Sequence, residues 1–186
     1  MRLWSRDEHA HRPAQELPEI KRLDLSEVIL TLKAAGVEDL RQFRWLEAPN
    51  DTALNHAEEL LLDLGALEKN PDYTAITDLG RRMLAFPLHP RYSRMLLAAH
   101  EYGCVYHACL VAALTQGRDL LLRKPAREVS AARDDLFGDT GSSDFWVLMS
   151  AWNYASQNQF KMDVLRKFGI HGVTARQVGP LLDQFL

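Results

Sequence analysis

Residues 79–96, LGRRMLAFPLHPRYSRML, join two helical segments through a Pro-x-x-Pro joint. Pro90 suits the first position of the second helix, because proline loses no helical hydrogen bond there and its φ is already helical. Thr77 can cap the helix before the joint, which is expected to end near Leu84. Four arginines flank the joint: Arg81, Arg82, Arg91 and Arg94. The joint therefore predicts a chain of two modules.

The part before the joint is predicted to contain a helix, a second helix, a short hairpin and a third helix, at residues 24–36, 52–64, 66–76 and 77–84. The first helix begins with a predicted capping box, in which Asp24 accepts the amide hydrogen of Glu27, and it can end at Gly36. This order of elements is expected of a winged-helix module, which we place at residues 16–88.

The part after the joint, residues 89–186, is predicted to be a helical bundle. Residues 104–116 are almost wholly apolar, which predicts a central helix. Residues 117–142 contain helix breakers and mixed charges, so we expect a long loop there. A long helix is expected from Ser143 to about Phe168, and Thr174-Ala175-Arg176-Gln177 predicts a second capping box before a last helix. The predicted fold class is mainly α: a winged-helix module with a small β-hairpin, followed by a helical bundle.

The composition allows a sizeable core but gives no overall signal for nucleic acid or membranes. The chain has 186 residues, 47% of them hydrophobic, and a net charge of −3. Cys104 and Cys109 lie in adjacent turns of one predicted helix, so a disulfide framework is not expected. No apolar run approaches the roughly 20 residues of a membrane span, and residues 1–6 lack the apolar core of a signal peptide. These observations predict a soluble, cytoplasmic protein that does not bind membranes.

Known catalytic motifs are missing from the sequence. It has no Gly-x-x-x-x-Gly-Lys-Ser/Thr phosphate loop, whose amides and lysine a P-loop ATPase requires. Asp7-Glu8-His9-Ala10-His11 is close to an Asp-Glu-Ala-His magnesium motif, but no buried apolar strand precedes it, so a solvated arm is favoured. An unrecognised hydrolase stays open, because folding could bring histidines and carboxylates together. We expect no catalysis by this chain alone.

One helical face carries a group of possible zinc ligands. His100, Cys104 and His107 are spaced at i, i+4 and i+7, with Cys109 nearby. The paired Cys-x-x-Cys and His-x-x-x-His elements of structural zinc sites are missing, and the surrounding helix is apolar. We therefore favour buried cysteines and a packed histidine, and predict no metal site.

The densest basic segment lies within the predicted loop and contains Arg118, Arg123, Lys124, Arg127 and Arg133. Cations in a loop can hold phosphates without reading bases. Five acidic residues dilute the charge of the same segment, so a solvated loop is an equal alternative. The candidate nucleic-acid-binding residues are Arg118, Arg123, Lys124 and Arg127.

The arginines at the joint also allow two interpretations. Arg81, Arg82, Arg91 and Arg94 could face a nucleic-acid channel, or they could pair with acids between the two modules. The pairing role is favoured, because arginine often fixes such interfaces through bidentate hydrogen bonds.

Aromatic residues of the long predicted helix are a further candidate. Trp146, Trp152 and Tyr154 could stack on bases. Aromatic residues on a long helix more often belong to the core, and we favour that position for this group.

Four blocks of the sequence resemble the region that follows the motor in DEAH-box ATP-dependent RNA helicases, particularly the bacterial branch. In chain order they are Arg2-Leu3-Trp4-Ser5, Pro18-Glu19-Ile20-Lys21-Arg22, residues 60–67 with 76–83, and Pro87-Leu88-His89-Pro90-Arg91. The resemblance covers residues 1–116 well and beyond Gly117 is limited to residues 144–152. The order and spacing of the blocks are more specific than any single block.

The resemblance implies a division of the chain and a function. Residues 1–15 would be the tail of the second RecA-like motor domain and a linker, 16–88 the winged helix, and 89–186 the helicase-associated ratchet bundle. Such a region helps enclose single-stranded RNA and couples ATP-driven motion to translocation. ATP and magnesium would bind the motor domains, whose motifs are missing here, so we expect no cofactor in this chain. Its expected partners are RNA and the parent's motor, and the chain itself would be a fragment of that parent.

Other functions remain open at this stage. The chain could be a free-standing winged-helix module that binds nucleic acid, a protein-interaction module, or an enzyme without recognisable motifs. A duplex preference of the isolated chain would support the first, a bound protein partner without nucleic-acid affinity the second, and turnover lost on changing one histidine the third.

The basic segment leads to a first prediction. Replacing Arg123, Lys124 and Arg127 together with alanine should weaken RNA binding and flatten its dependence on salt, because fewer counterions would be released. Fluorescence anisotropy of a labelled single strand across a salt series measures both quantities. Unchanged binding would contradict a role of the loop.

Overall fold

The computed structural model describes residues 5–11, 18–71, 73–138 and 143–186. The described residues form two compact units, with the boundary between Arg94 and Met95. The predicted motor-domain strand at Arg2-Leu3-Trp4-Ser5 lies, apart from Ser5, outside the described residues. Residues 12–15 of the predicted linker also lie outside them.

The first unit is mainly helical and contains one small β-hairpin. Its elements are α1 (Arg6–His11), a 3-10 turn (Glu19–Lys21), α2 (Ser26–Ala34), α3 (Asp51–Asp63), β1 (Leu67–Lys69), β2 (Thr74–Ile76) and α4 (Asp78–Met83). The two strands are antiparallel, with Leu67 opposite Ile76 and Lys69 opposite Thr74. From α2 onward, the predicted order of helix, helix, hairpin and helix is confirmed.

Apolar faces of α2, α3 and α4 supply the core of the first unit. Ile29, Leu61 and Met83 are almost completely buried. Leu54, Ala57 and Leu61 share one face of α3, because they are three and four residues apart, and α3 packs against α2. The hydrophobic effect on these residues therefore holds the helices of the unit together.

Thr77 caps α4, as predicted, and also bonds to the turn that follows α3. Its hydroxyl oxygen accepts the Gly80 N–H at 3.0 Å and donates to the Gly65 carbonyl at 2.7 Å. Its own N–H donates to the Ala66 carbonyl at 3.0 Å. One residue thus joins the start of α4 to the turn after α3.

The capping box predicted at Asp24 is wrong. Asp24 Oδ1 accepts the backbone N–H of Ser26 at 2.7 Å, and Leu25 occupies the N-cap position of α2 without a side-chain cap. Because the helix begins at Ser26, Glu27 is its second residue rather than its third. A capping box requires the acid at the third position, so its reciprocal bonds are not formed.

The second unit is a bundle of helices. α5 (Pro90–Glu101) begins before the boundary, and the unit continues with α6 (Val105–Thr115), α7 (Arg127–Phe137), α8 (Asp144–Gln157), α9 (Met162–Arg166) and α10 (Gly172–Phe185). α6 is largely buried and packs against α8 and α10, which confirms the predicted central helix. Among the described helices, none is long and apolar enough to cross a membrane.

The loop predicted over residues 117–142 is wrong for Arg127–Phe137, which form α7. The helical stretch REVSAARDDLF contains no glycine or proline, and it packs against α8. Pro125 and Gly138, which stand on either side of it, made the whole segment look irregular. They mark the ends of a helix instead.

The long helix predicted to continue to Phe168 ends at Gln157. Gln159 and Phe160 have φ values of 55° and 54°, in the left-handed region. The Phe160 N–H donates to the Ala155 carbonyl at 2.8 Å and closes the helix end. The chain then turns into the short helix α9.

The second predicted capping box is also wrong, because α10 begins at Gly172 and Thr174 lies inside it. A Cβ atom at Gly172 would lie 2.4 Å from the sulfur of Met162. Glycine therefore allows the start of α10 to pack closely against α9. This tertiary contact, rather than a cap, determines where the helix begins.

Two helical glycines provide a matched test of packing. Gly80→Ala would place a Cβ atom 2.2 Å from the Ala66 carbonyl oxygen, which Thr77 holds in place. We expect the free energy of unfolding to fall by roughly 1–3 kcal/mol. Gly179→Ala lies inside α10 in open space apart from its chain neighbours, but Pro180 follows it and opposes the helical gain, so we expect a change of less than about 0.5 kcal/mol. Urea denaturation measures both, and equal losses of stability in the two variants would contradict this packing.

Candidate nucleic-acid interface

A groove of about 1030 Å³ lies in the second unit, beside residues 117–123 and the start of α10. Its charged lining consists of Arg118, Asp119, Arg123 and Arg166. With the lining residue His171 neutral, three cations and one anion give the groove a net charge of +2, whereas the chain carries −3. The groove therefore concentrates positive charge locally, which favours an anionic ligand.

Backbone hydrogen bonds hold the basic segment in place as one wall of this groove. Leu121 and Ile170 form an antiparallel bridge. The Leu122 N–H donates to the Gly169 carbonyl at 2.9 Å, and the His171 N–H donates to the Leu120 carbonyl at 2.8 Å. The segment from 120 to 122 is thus a fixed strand-like piece rather than a free loop.

Arg133 of α7 braces both partners of this bridge. Its guanidinium donates to the carbonyl oxygens of Phe168 at 3.1 Å, Leu122 at 3.4 Å and Gly169 at 3.5 Å. Gly169 has a φ of 60°, and a Cβ atom there would lie 2.7 Å from Arg133 Nη2, so glycine leaves room for the guanidinium. Burial lowers the pKa of Arg133, although the neighbouring Asp134 opposes this shift. This arginine of the basic segment therefore organises the backbone.

The four predicted nucleic-acid-binding residues divide into two pairs. Arg118 and Arg123 line the groove, whereas Lys124 and Arg127 are exposed and do not line it. Arg123 forms an ion pair with Asp119, and the hydrogen bond between them lowers the pKa of Asp119 and raises that of Arg123. Asp119 therefore offsets part of the positive charge in the groove. The structure leaves the binding role of all four residues as a prediction.

Arg166 and His171 were not identified from the sequence. Both lie far from the basic segment in the chain, and the bridge between Leu121 and Ile170 brings them to it. Because one helix was predicted as far as Phe168, the sequence did not predict the turn that lets the two segments pair. Only the three-dimensional pairing of the two segments reveals them as groove residues.

The arginines at the joint are positioned in the first unit. Arg81, Arg82 and Arg91 are exposed, and Arg94 is partly exposed. Among the described residues none of the four forms an ion pair, and Arg94 Nη1 is buried without a hydrogen-bond partner. Their predicted role, between modules or in a channel, stays a prediction.

Ser26, His89 and Asp24 meet in the first unit but do not form a hydrolytic triad. His89 Nε2 lies 3.2 Å from Ser26 Oγ and 3.6 Å from Asp24 Oδ1, so serine and acid face the same ring nitrogen. In a triad the acid binds the other nitrogen, and here Ser26 is fully buried. Partial burial raises the pKa of Asp24, but hydrogen bonds from Ser26 and the nearby His89 outweigh it and lower that pKa. The cluster anchors the start of α2 to the residue before α5.

The possible zinc ligands do not converge. The predicted burial is confirmed for Cys109, whose thiol donates to the Phe185 carbonyl at 3.3 Å, and it is wrong for Cys104, His100 and His107, which are exposed. Burial raises the pKa of Cys109. Within the ranges that the structure describes, no three metal-ligand side chains come together.

The motif-like run at residues 7–11 lies in the short helix α1. Asp7, Glu8 and His11 are exposed there. The His11 ring nitrogen Nδ1 lies 2.8 Å from the Asp7 carbonyl oxygen, within one turn. This placement agrees with a solvated arm rather than a magnesium site at a strand end.

The aromatic group divides between core and surface. Trp152 is buried and its indole N–H donates to the Ala175 carbonyl at 3.0 Å. Tyr154 packs with Phe137 and Phe168, with ring centroids 5.1 to 5.7 Å apart. Trp146, in contrast, is 56% exposed. The core assignment is confirmed for Trp152, holds only in part for the half-buried Tyr154, and is wrong for Trp146, which lies opposite the buried face of α8.

Two protein-family models match this chain in succession. The winged-helix model of the helicase associated domain (HA2) matches residues 57–88, and the ratchet-like model of the same domain matches residues 89–162. Together they span more than half of the 186 residues. The chain belongs to the helicase-associated region of the DEAH-box helicases. The resemblance drawn from the sequence is thereby confirmed.

Relatives of this helicase-associated region include bacterial and human proteins. The chain is 31% identical to the ATP-dependent RNA helicase HrpA homolog of Haemophilus influenzae over 90% of its length, and 33% identical to the ATP-dependent RNA helicase HrpA of Escherichia coli over 86%. It is 33% identical to the human probable ATP-dependent RNA helicase DHX35 over 71%. The chain spans only 12 to 18% of the length of these three relatives.

The brace around Arg133 can be tested by stability. Arg133→Ala would remove donors from the carbonyl oxygens of Phe168, Leu122 and Gly169. We expect the free energy of unfolding to fall by roughly 1–3 kcal/mol, the contribution of hydrogen bonds from a charged donor to part-buried carbonyl oxygens. Arg127→Ala, an exposed position on the same helix, serves as the control and should have little effect. Equal unfolding midpoints of the two variants in urea would refute the brace.

Proposed function

We propose that this chain is the accessory C-terminal region of an ATP-dependent RNA helicase, in which it helps form the channel for single-stranded RNA. The succession of winged-helix and ratchet-like helicase-associated modules carries the proposal. Relatives that are named ATP-dependent RNA helicases support RNA as the ligand. The proposal adds RNA binding by this chain to its membership of the family.

The groove of the second unit is the proposed contact with RNA. Arg118 and Arg166 are exposed, and among the described residues neither forms an ion pair, so both guanidinium groups are available to phosphate oxygens. Arg123 can exchange its partner Asp119 for a phosphate, because the pair is exposed to water and such pairs are weak. The contacts would be electrostatic and would not depend on base sequence.

Catalysis is assigned to the parent protein. ATP and magnesium would bind its RecA-like motor domains, since this chain contains no phosphate loop. The described residues would contribute a rigid body whose movement with the motor shifts the bound strand. The buried helix α6 and the Arg133 brace support this role, because they make the second unit resistant to deformation.

RNA binding by groove variants tests the proposed function. We expect Arg118→Ala with Arg166→Ala to weaken binding of a labelled 12-nucleotide oligo(rU). The salt slope, log K against log salt concentration, should become shallower by about 1.4, since each phosphate contact on a single strand contributes roughly 0.7. Fluorescence anisotropy between low and high salt gives both values.

The control removes two exposed lysines of the same unit that do not line the groove, Lys161 and Lys167. Their double alanine variant matches the loss of charge and should change the slope much less. Equal slopes for both double variants would contradict the groove as the contact. Tight, specific binding of duplex by the unaltered chain would instead support a free-standing winged-helix module.

A further inference from the structure

The first turn of α10 lines the groove of the second unit through Gly172, Val173 and Thr174. The first helical hydrogen bond of α10 is donated by the Ala175 N–H to the His171 carbonyl at 2.8 Å. Among the described residues, none accepts the N–H groups of the three residues that line the groove, and His171 at the N-cap position provides no side-chain cap. In the part of the chain that the structure describes, α10 therefore begins with three backbone donors that have no acceptor.

The hydroxyl of Thr174 is a further donor in the same turn. Thr174 is only 9% exposed, yet its hydroxyl forms no hydrogen bond with any described residue. A helical threonine can donate to the carbonyl four residues earlier, as Thr31 and Thr115 do in this protein. The Thr174 oxygen is not fully enclosed, so it is reached from the groove that this residue lines. A nearly buried hydroxyl is costly to leave unpaired, and this side chain therefore points to a ligand independently of the helix start.

Packing holds this turn in place at both ends. The His171 N–H donates to the Leu120 carbonyl at 2.8 Å, and the Trp152 indole N–H donates to the Ala175 carbonyl at 3.0 Å. Gly172 packs closely against α9, as its contact with Met162 shows. The donors of the turn are therefore arranged before a ligand binds, which lowers the entropic cost of binding.

The charges around the turn favour an anion. α10 has 14 residues, and its aligned peptide dipoles give its start a partial positive charge. Arg118 and Arg166 are exposed in the lining of the same groove. Asp119 also lines it and opposes an anion, but Arg123 is bonded to its carboxylate and offsets its charge. A phosphate group has enough oxygen atoms to accept from backbone N–H, hydroxyl and guanidinium donors together.

We propose that the first turn of α10 is a binding site for one phosphate group. The N–H groups of Val173 and Thr174 and the Thr174 hydroxyl donate to its oxygens, and the arginines of the groove balance its charge. Helix starts with free N–H groups hold phosphate in this way in many proteins. The inference rests on the proposed function for the source of this phosphate, the backbone of an RNA strand, and it names the point at which the groove holds that strand.

Titration with inorganic phosphate tests this site in the whole chain. Sodium phosphate replaces sodium chloride at constant ionic strength, while NMR spectroscopy follows the backbone amide signals of Gly172, Val173 and Thr174. We expect these signals to shift and to saturate with one dissociation constant. Thr174→Val keeps the shape of the side chain and should raise that constant about 10-fold, the effect of losing one hydrogen bond to a charged group. Amide signals that do not move in the unaltered chain would overturn the inference.

Thr31→Val is the matched control, because the Thr31 hydroxyl donates to the Glu27 carbonyl in the first unit and does not line the groove. It should leave the dissociation constant for phosphate unchanged. Urea denaturation separates binding from a structural role. Since no described residue bonds to the Thr174 hydroxyl, Thr174→Val should not lower the unfolding midpoint. A lower midpoint with unchanged phosphate binding would show that this hydroxyl supports the fold, and would contradict the site.

A pair of acidic substitutions distinguishes the turn from the general charge of the groove. Val173 and Gln177 are both exposed, both line the groove, and lie one turn apart on α10. Val173→Glu places a carboxylate beside the N–H groups of the first turn, so it should abolish phosphate binding and raise the unfolding midpoint. Gln177→Glu adds the same charge one turn further along and should weaken binding much less. Equal weakening by the two variants would overturn the inference, because only net charge would then matter.

Binding of oligo(rU) identifies the source of the phosphate and separates this inference from the proposed function. If Thr174→Val weakens oligo(rU) and inorganic phosphate alike, the site holds a phosphate of the strand. If it weakens inorganic phosphate alone, the site is supported with free phosphate as its ligand. If the unaltered chain binds oligo(rU) while the α10 amide signals do not respond to phosphate, the inference fails and the proposed function stands. If those signals respond but oligo(rU) does not bind at low salt, the RNA contact of the proposed function fails instead.

Discussion

The guanidinium of Arg133 is the constraint on which the groove depends. A partly buried cation is costly unless its donors find acceptors, and Arg133 finds them in the carbonyl oxygens of Phe168, Leu122 and Gly169. Those carbonyls belong to two segments that are distant in the chain. By bonding to both, the Arg133 side chain fixes the distance between the two segments. The bridge between Leu121 and Ile170 has the same effect through the backbone. The arginine that determines the shape of the groove is thus one that does not line it.

Arginine has three different roles within a short distance of this groove. Arg133 is desolvated and bonded to the backbone, Arg123 is paired with Asp119 in water, and Arg118 and Arg166 are exposed. Water weakens every exposed charge, so each exposed arginine contributes little alone and the sum depends on salt. The groove concentrates these charges at one place in a chain whose net charge is −3. The net charge of the chain therefore gives no indication of the positively charged groove.

Local rules of the sequence predicted part of this structure well. Thr77 caps α4 and Pro90 begins α5, because both positions depend only on residues within one turn. Both capping boxes failed: α2 begins at Ser26, which makes Glu27 its second residue, and α10 begins at Gly172, which packs against Met162. The candidate site was predicted only in half: Arg118 and Arg123 were identified, but Arg166 comes to the groove through a long-range bridge. No local spacing in the sequence encodes that pairing.

The groove combines a rigid frame with weak individual contacts, and translocation along a strand would require both. A region that advances along RNA must release each phosphate after holding it, so tight binding at any one residue would stop movement. Under the proposed function, the exposed arginines would provide contacts of that kind, and α6 with the Arg133 brace would keep them in a fixed arrangement. Contacts to phosphate are also independent of sequence, because every nucleotide carries the same phosphate group. A motor that must pass over any sequence needs this lack of discrimination.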